Sequence, residues 1–495
     1  MKKVILVLLL IGIVSFGVVS LWGSLRAKQA YRALILEIAL YPDTRVLETS
    51  YERGWLQSRT ATSVEIRGPL GKSFQQWLVG RGRDEVRGRV GMRMRQTIEH
   101  GYVPLLEWLT GGLEGMPVVG RVETQLELDE ETQSELAAVI GRLPPVRIST
   151  LIRAPGVAES SVTVPARLLE GKLAADEGGG WVARWEGLRG NVVHTSDFGQ
   201  FAASFHSAGI EGRSAGSIFA LRDLEWAADL ARDESGLPVG DVKLRVGSLR
   251  LSSPEEGAPG LGLERWTMTQ SNAVEAGSFS SSLEVRVQAI RLGDRVYGPG
   301  NAELQLRNLD ALSLARLQSR GVPGFSSPDS QNVAQAAVDG GAMSLLPDLV
   351  SRSPQLEIRT LRLATPSGEL EAKLRIHLDG SRPDFLRNLS TLPLVLQVHV
   401  EFQCPAEMLD ALYQGGEEEL LELRREGWIL LDGDRYRSRL EFERGKLIVN
   451  GLPKAFGDPS GQPEAPTELP QLSAIDSPSV DSWPEGVAPG PELLP

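Results

Sequence analysis

The feature that most limits what this chain can fold into is a spacing. Two apolar residues alternate, two positions intervene, and two more alternate. Phe219, Leu221, Leu224 and Trp226 show it, and so do Leu244, Val246, Leu249 and Leu251. It returns at Val285, Val287, Ile290 and Leu292, and at Leu356, Ile358, Leu361 and Leu363. Leu304, Leu306 and Leu309 give a partial copy, and Ala183, Trp185 and Leu188 a fainter one. Period-two alternation marks a strand with one buried face. In every copy the apolar parity changes once in mid-segment. A β-bulge does this by adding a residue, and a strand that bends from one layer into another is the alternative. The copies are unevenly spaced, which excludes a solenoid of fixed period. The expected fold class is β-rich α+β: a large twisted, mainly antiparallel sheet with a few helices.

Turn chemistry agrees. Gly293-Asp294, Ser367-Gly368, Asp432-Gly433 and Arg444-Gly445 read as hairpin turns, and Val46 to Arg67 reads as a hairpin turning at Arg53-Gly54. Helices are predicted over Glu131 to Arg142, over Ala311 to Arg320 with Asp310 as N-cap, and over Pro405 to Tyr413, resuming at Glu417 and ending at Gly427. A further helical signal covers Asn332 to Val350, broken by Gly340-Gly341 and Pro347.

Ahead of all this stands one predicted transmembrane helix. Residues 4–22 form an apolar run in which fourteen of nineteen residues are Val, Ile, Leu or Phe. At about 1.5 Å per residue the run matches the ~30 Å hydrocarbon layer. It exceeds the apolar region of a cleaved signal peptide, and no A-x-A-like site follows, so an uncleaved anchor is expected. Lys2 and Lys3 favour a cytoplasmic N-terminus, whereas Arg26, Lys28 and Arg32 argue the other way. With so short a leading tail, nearly all of the chain is expected on one side, exported. Residues 25–41 continue the anchor as an amphipathic helix that Pro42 ends.

Five regions follow from these signals: the anchor 1–24, a helix and first β-rich region 25–180, a central antiparallel region 181–325, a C-terminal α+β region 326–453, and a tail 454–495. From Ala455 to Pro495 there are nine Pro and seven acids with no Lys or Arg, the composition of a disordered acidic tail. A formal net charge of −12 argues against nucleic acid as a partner. The single cysteine, Cys404, forms no disulfide framework.

Candidate chemistry is sparse. Arg87, Arg89, Arg93 and Arg95 share one parity of a predicted strand, and are the candidate contacts for anionic headgroups. The competing reading is a solvated face partly paired with acids. Gly212-Arg213-Ser214-Ala215-Gly216 matches the G-x-S-x-G nucleophile elbow, which makes Ser214 a candidate serine nucleophile; strand-like residues follow it where the elbow needs a helix. His100, His194, His206, His377 and His399 show no zinc spacing, and no cofactor motif occurs. Trp181, Trp185, Trp226 and Trp428 lie in strand patterns and read as core.

Three segments together carry a likeness. The anchor, then Ser50-Tyr51-Glu52-Arg53-Gly54-Trp55, then Ile98-Glu99-His100-Gly101-Tyr102-Val103-Pro104-Leu105, resemble in order the YdgA-like family of bacterial envelope proteins. The stretch from Leu345 to Lys446-Leu447-Ile448-Val449-Asn450-Gly451 is similar too, so the likeness covers most of residues 1–452. It implies a single-pass protein of a Gram-negative inner membrane, its bulk in the periplasm. It implies no catalytic residue. The functional expectation is a non-enzymatic envelope protein that binds or scaffolds another envelope component. Lipid binding or transfer along an apolar groove is the alternative, since the strand pattern is similar to that of AsmA-like bridge proteins; a hydrolase at Ser214 is the third reading.

Overall fold

The structure, a computed structural model, describes residues 24–454 apart from isolated positions between 26 and 43, residue 155, and the stretches 68–88, 101–107, 111–116, 173–179, 215–216, 253–259, 320–344, 382–390 and 413–416. The predicted membrane helix and the acidic tail lie outside the described residues. Among those described, no helix is long and apolar enough to cross a membrane. The positions described between Ser24 and Ala39 are helical, as the amphipathic pattern predicts.

The strands begin with β1 (Thr44–Glu52), β2 (Gln57–Ile66), β3 (Val90–His100) and β4 (Val118–Leu128), followed by helix α1 (Glu130–Ile140). Next come β5 (Val146–Arg153), β6 (Val157–Val164), β7 (Arg167–Lys172), β8 (Gly180–Trp185), β9 (Leu188–Thr195), β10 (Gln200–Ser214), β11 (Ser217–Arg232), β12 (Pro238–Ser252) and β13 (Leu261–Glu275). The chain continues through β14 (Ser278–Val287), β15 (Ala289–Leu292), β16 (Arg295–Tyr297), β17 (Gly300–Asp310), α2 (Ala311–Ser319), α3 (Leu346–Val350), β18 (Gln355–Thr365) and β19 (Gly368–Leu378). It closes with α4 (Leu392–Val395), β20 (Leu396–Pro405), α5 (Ala406–Leu412), α6 (Glu417–Arg425), β21 (Leu430–Asp432), β22 (Arg435–Glu443), β23 (Lys446–Val449) and β24 (Leu452–Lys454).

All of the described strands join one antiparallel sheet, mostly as a meander in which each strand pairs with the next. The expected hairpins are present, two of them turning one residue from the expected pair, at Pro366-Ser367 and Gly433-Asp434. Arg444 and Gly445 have φ of 51° and 76°, the left-handed pair that a tight hairpin requires. The predicted cap of α2 is present, the Ser313 amide donating to Asp310 Oδ1 at 2.9 Å; α1 carries a cap that was not predicted, the Thr132 amide donating to Asp129 Oδ1 at 2.8 Å. One predicted boundary moves: Pro405 closes a strand and does not open a helix. Of the predicted segment 332–350, Leu346–Val350 is helical and residues 332–344 lie outside the described residues.

The parity change has two origins, and only one is a bulge. On β18 the register shifts between Ile358 and Leu361, and between β14 and β17 it shifts beside Asn308, whose φ is 62°. These are added residues, as expected. The central strands behave differently. Ser207 pairs with Leu224 and Gly209 with Arg222, so Ala208 and Asp223 drop out together and no register is lost. Asp223 and Gly247 drop out of the β11–β12 ladder in the same way, and Gly247 and Arg265 out of the β12–β13 ladder. The breaks between β8 and β9 at Glu186-Gly187 and between β14 and β15 at Gln288 continue the line. The bulge reading therefore fails here. A crease crosses the sheet, made by left-handed residues at Gly187, Gly209, Asp223 and Arg265. A Cβ at Gly209 would stand 2.1 Å from the Leu221 carbonyl oxygen, which leaves glycine the residue that fits.

Two buried clusters form where helices meet the sheet. Ala311 and Leu314 of α2 pack with Phe279, Val274 and Leu349. Leu420 of α6 packs with Cys404, Tyr436, Leu409, Phe402 and Leu370. The four tryptophans expected in the core are only half buried.

Candidate functional site

Across the ladders, residues of like character stand directly opposite one another. Phe205, Trp226, Leu244, Met268 and Val285 form one row over β10 to β14, and the row runs on through Ala302, Leu361, Ala372 and Phe402. On the same face runs a second, from Ala203 through Ala228, Val242, Gln270, Leu283, Leu304 and Ile358 to Leu374 and Val400, apolar except at Gln270. The opposite face is polar: His206, Glu225, Arg245, Thr267 and Arg286 share the row next to the first. At about 4.8 Å per strand, nine strands of apolar surface span roughly 40 Å.

That face is not covered evenly. Val274 and Phe279 share it on β13 and β14, under α2, and Phe402 on β20 lies under α5 and α6. On β10 to β13, outside the stretch between these helices, Phe205, Trp226, Leu244 and Met268 remain half buried, the Phe205 and Trp226 rings in tilted contact at 5.6 Å. Half-buried aromatic and aliphatic side chains thus form an unbroken line across these four strands.

A second constellation forms where the two N-terminal motifs converge. Ser58 Oγ lies 3.0 Å from His100 Nε2, and the His100 amide donates to the Leu56 carbonyl. Arg53 Nε donates to Ser24 Oγ at 2.8 Å, and the Tyr31 hydroxyl stands within 2.6 Å of the Thr49 and Thr62 hydroxyls. Ser58 is 0% and His100 3% exposed, and His100 Nδ1 has no hydrogen-bond partner among the described residues. Burial first, and the Arg53 charge second, push the His100 pKa down. The Ser58–His100 contact joins β2 to β3, while the Arg53–Ser24 and Tyr31 contacts tie the helical positions from Ser24 onward to β1 and β2. His100 was flagged by the resembling motif, whereas nothing in the sequence flagged Ser58 as its neighbour.

The arginines are partly occupied by acids. Arg89 reaches Glu65 at 3.1 Å and Glu131 at 2.6 Å, and Arg95 lies 3.6 Å from Glu127. Arg93 is exposed opposite Glu127, and Arg87 lies outside the described residues. Ser214 closes β10 and pairs with Ser217 of β11, so the elbow-like motif is a strand hairpin with no helix after it. A cavity of about 630 Å³ opens over β18 to β22, lined by Arg362, Lys373, Arg437 and Arg439 with Glu371 and Glu401. Three of its cations are already paired with Glu371, Asp432 and Glu441. Among the described residues no three His, Cys, Asp or Glu side chains are placed to hold a metal ion.

Residues 1–454 match the model of one family, described as a bacterial protein of unknown function, DUF945. The chain belongs to that family. The matched stretch includes both the sealed Ser58–His100 pair and the apolar rows, and ends at Lys454, where the first of the chain's two compact units also ends. No curated protein and no solved structure matches the chain. For this DUF945 protein, geometry therefore has to carry the functional reading.

Proposed function

We propose that this DUF945 protein is a non-enzymatic, membrane-anchored envelope protein that binds an acyl chain along the apolar face of its sheet. The observation that carries the reading is the half-buried row Phe205, Trp226, Leu244 and Met268 on the apolar face of β10 to β13, away from the clusters that α2, α5 and α6 form with the sheet. Each buried methylene contributes on the order of 0.8 kcal/mol, so a chain laid across several strands gains enough to offset its lost freedom. The apolar run at residues 4–22 and the likeness to YdgA-like proteins support an inner-membrane, periplasm-facing location. Lipid is then the apolar ligand nearest at hand.

Native mass spectrometry of the full-length chain, stripped of detergent in the gas phase, tests the proposal. Retained phospholipid that Leu244→Asn and Met268→Asn each diminish is the expected result. Retention unchanged by either substitution, or no lipid at all, defeats it.

A further inference from the structure

The start of the N-terminal helix and the turn between β1 and β2 meet at one place. Ser24 stands two residues beyond the apolar run 4–22, so the chain can carry it no farther than about 7 Å from the end of that run. Its hydroxyl donates to the Gly54 carbonyl at 3.4 Å and takes a hydrogen bond from Arg53 Nε at 2.8 Å. From Ser24 the helical positions run back along β1 and β2. Tyr31 reaches Thr49 and Thr62 on the way, and the Thr44 hydroxyl donates to the Ile38 carbonyl where β1 begins. The turn 53–56 is therefore the end of β1 and β2 nearest the run, and Thr44 and Ile66 mark the far end.

Trp55 sits in that turn and is 62% exposed. An amphipathic indole ring is the side chain best suited to a membrane–water interface, and the run itself ends on Trp22. The interfacial layer reaches about 5–7 Å beyond the hydrocarbon on each side. A turn hydrogen-bonded to Ser24 falls within that layer or at its surface. Leu109, 63% exposed, belongs to the connection from β3 to β4, which leaves the sheet at this same end, where the His100 amide donates to the Leu56 carbonyl.

We propose that the turn 53–56 rests in the interfacial layer of the bilayer that holds the apolar run, with the Trp55 ring inserted there. β1 and β2 then rise from the membrane with Thr44 and Ile66 farthest from it. The inference rests on the reading of residues 4–22 as an anchor, and it is independent of whether the sheet holds an acyl chain. The occupant follows from the chain's own connection: the run ends two residues before the hydroxyl that this turn bonds, which leaves no room for a folded partner between turn and headgroups. Charge plays no part. Glu52 and Arg53 offset one another, and the connection from β3 to β4 adds Glu107 and Glu114, so the contact calls for no anionic lipid.

The test uses the full-length chain in phosphatidylcholine nanodiscs, with a nitroxide attached through Trp55→Cys, through Gln57→Cys with Trp55 kept, or through Arg45→Cys at the far end. All three positions are exposed, and Cys404, at 1% exposure, is left in place. Collisions with oxygen, which concentrates in lipid, and with a water-soluble nickel chelate report depth. At 55 oxygen collisions are expected to outnumber those with the chelate, at 45 the order should reverse, and 57 should fall between. Chelate collisions at 55 and 57 as frequent as at 45 overturn the proposal. So does shielding of 55 from both agents, which would assign the turn to a protein contact. A chain that stays in the aqueous fraction and does not enter nanodiscs overturns it together with the anchor reading, whereas a chain that enters them and keeps 55 in water overturns this inference alone.

Discussion

His100 Nε2 lies 3.0 Å from the Ser58 hydroxyl, and both side chains are sealed from water where β2 meets β3. The ring is therefore held neutral, first by burial and then by the Arg53 charge. Its folded pKa lies below the unfolded value of about 6.5, so below that pH the unfolded chain binds the extra proton. Stability is lost as pH falls through this window and is flat above it. The thermal midpoint is expected to drop on acidification from about pH 7.5 to 5, and His100→Gln should flatten that slope. Identical slopes for the two chains would contradict the assignment.

Tyr31 ties the helical positions after Ser24 to β1 and β2. Its hydroxyl meets Thr62, which is 1% exposed, at 2.5 Å and Thr49 at 2.6 Å. Tyr31→Phe strands a buried hydroxyl and should cost about 1–3 kcal/mol locally. Hydrogen exchange should quicken in the helix and β1 while β10 to β13 keep their protection.

The crease makes a prediction about two residues at once. A Cβ on Gly247 would stand 2.7 Å from the Cβ of Asp223, which itself has a φ of 52°. Gly247→Ala should destabilise by about 1–3 kcal/mol. In an Asp223→Gly background most of that cost should disappear, because the opposing side chain is gone. Denaturant melts of the four chains measure the coupling, and simple additivity would argue against opposed packing at the crease.

Glu65 is 2% exposed and takes hydrogen bonds from Arg67 at 2.9 Å and Arg89 at 3.1 Å. The Arg67 hydrogen bond, with further help from Arg89, holds its carboxyl below the ordinary range against the opposing effect of burial. Its contribution is present above the unfolded pKa and fades as pH falls beneath about 4.5. Arg89→Leu should lower stability at neutral pH by about 1–3 kcal/mol and shrink the acid-induced loss. An acid limb of unchanged depth would contradict this.

Much of the sheet was legible because period two is a local property: the alternation at Leu244 and Val246 and the turn at Arg444-Gly445 lie within a few residues. The crease was not. Whether a parity change at Asp223 is an added residue or a shared fold depends on what stands opposite, and Gly247 is a strand away. Ser58 and His100 are 42 residues apart, so no spacing rule joins them. The arginine parity reads as one cationic face because the acids that pair with Arg89 and Arg95, namely Glu65, Glu131 and Glu127, arrive from β2, α1 and β4. Where the helices settle on the apolar face is likewise decided by packing and not by their own pattern.

The most direct test of the central claim asks which face of β13 meets an acyl chain. A photoreactive residue placed at Met268 in the full-length chain faces the half-buried row, whereas one at Thr267 faces the polar side of the same strand. Irradiation in lipid-reconstituted protein is expected to yield phospholipid adducts from position 268 and none from 267. Adducts from both positions alike, or from neither, would contradict a ligand held on the apolar face.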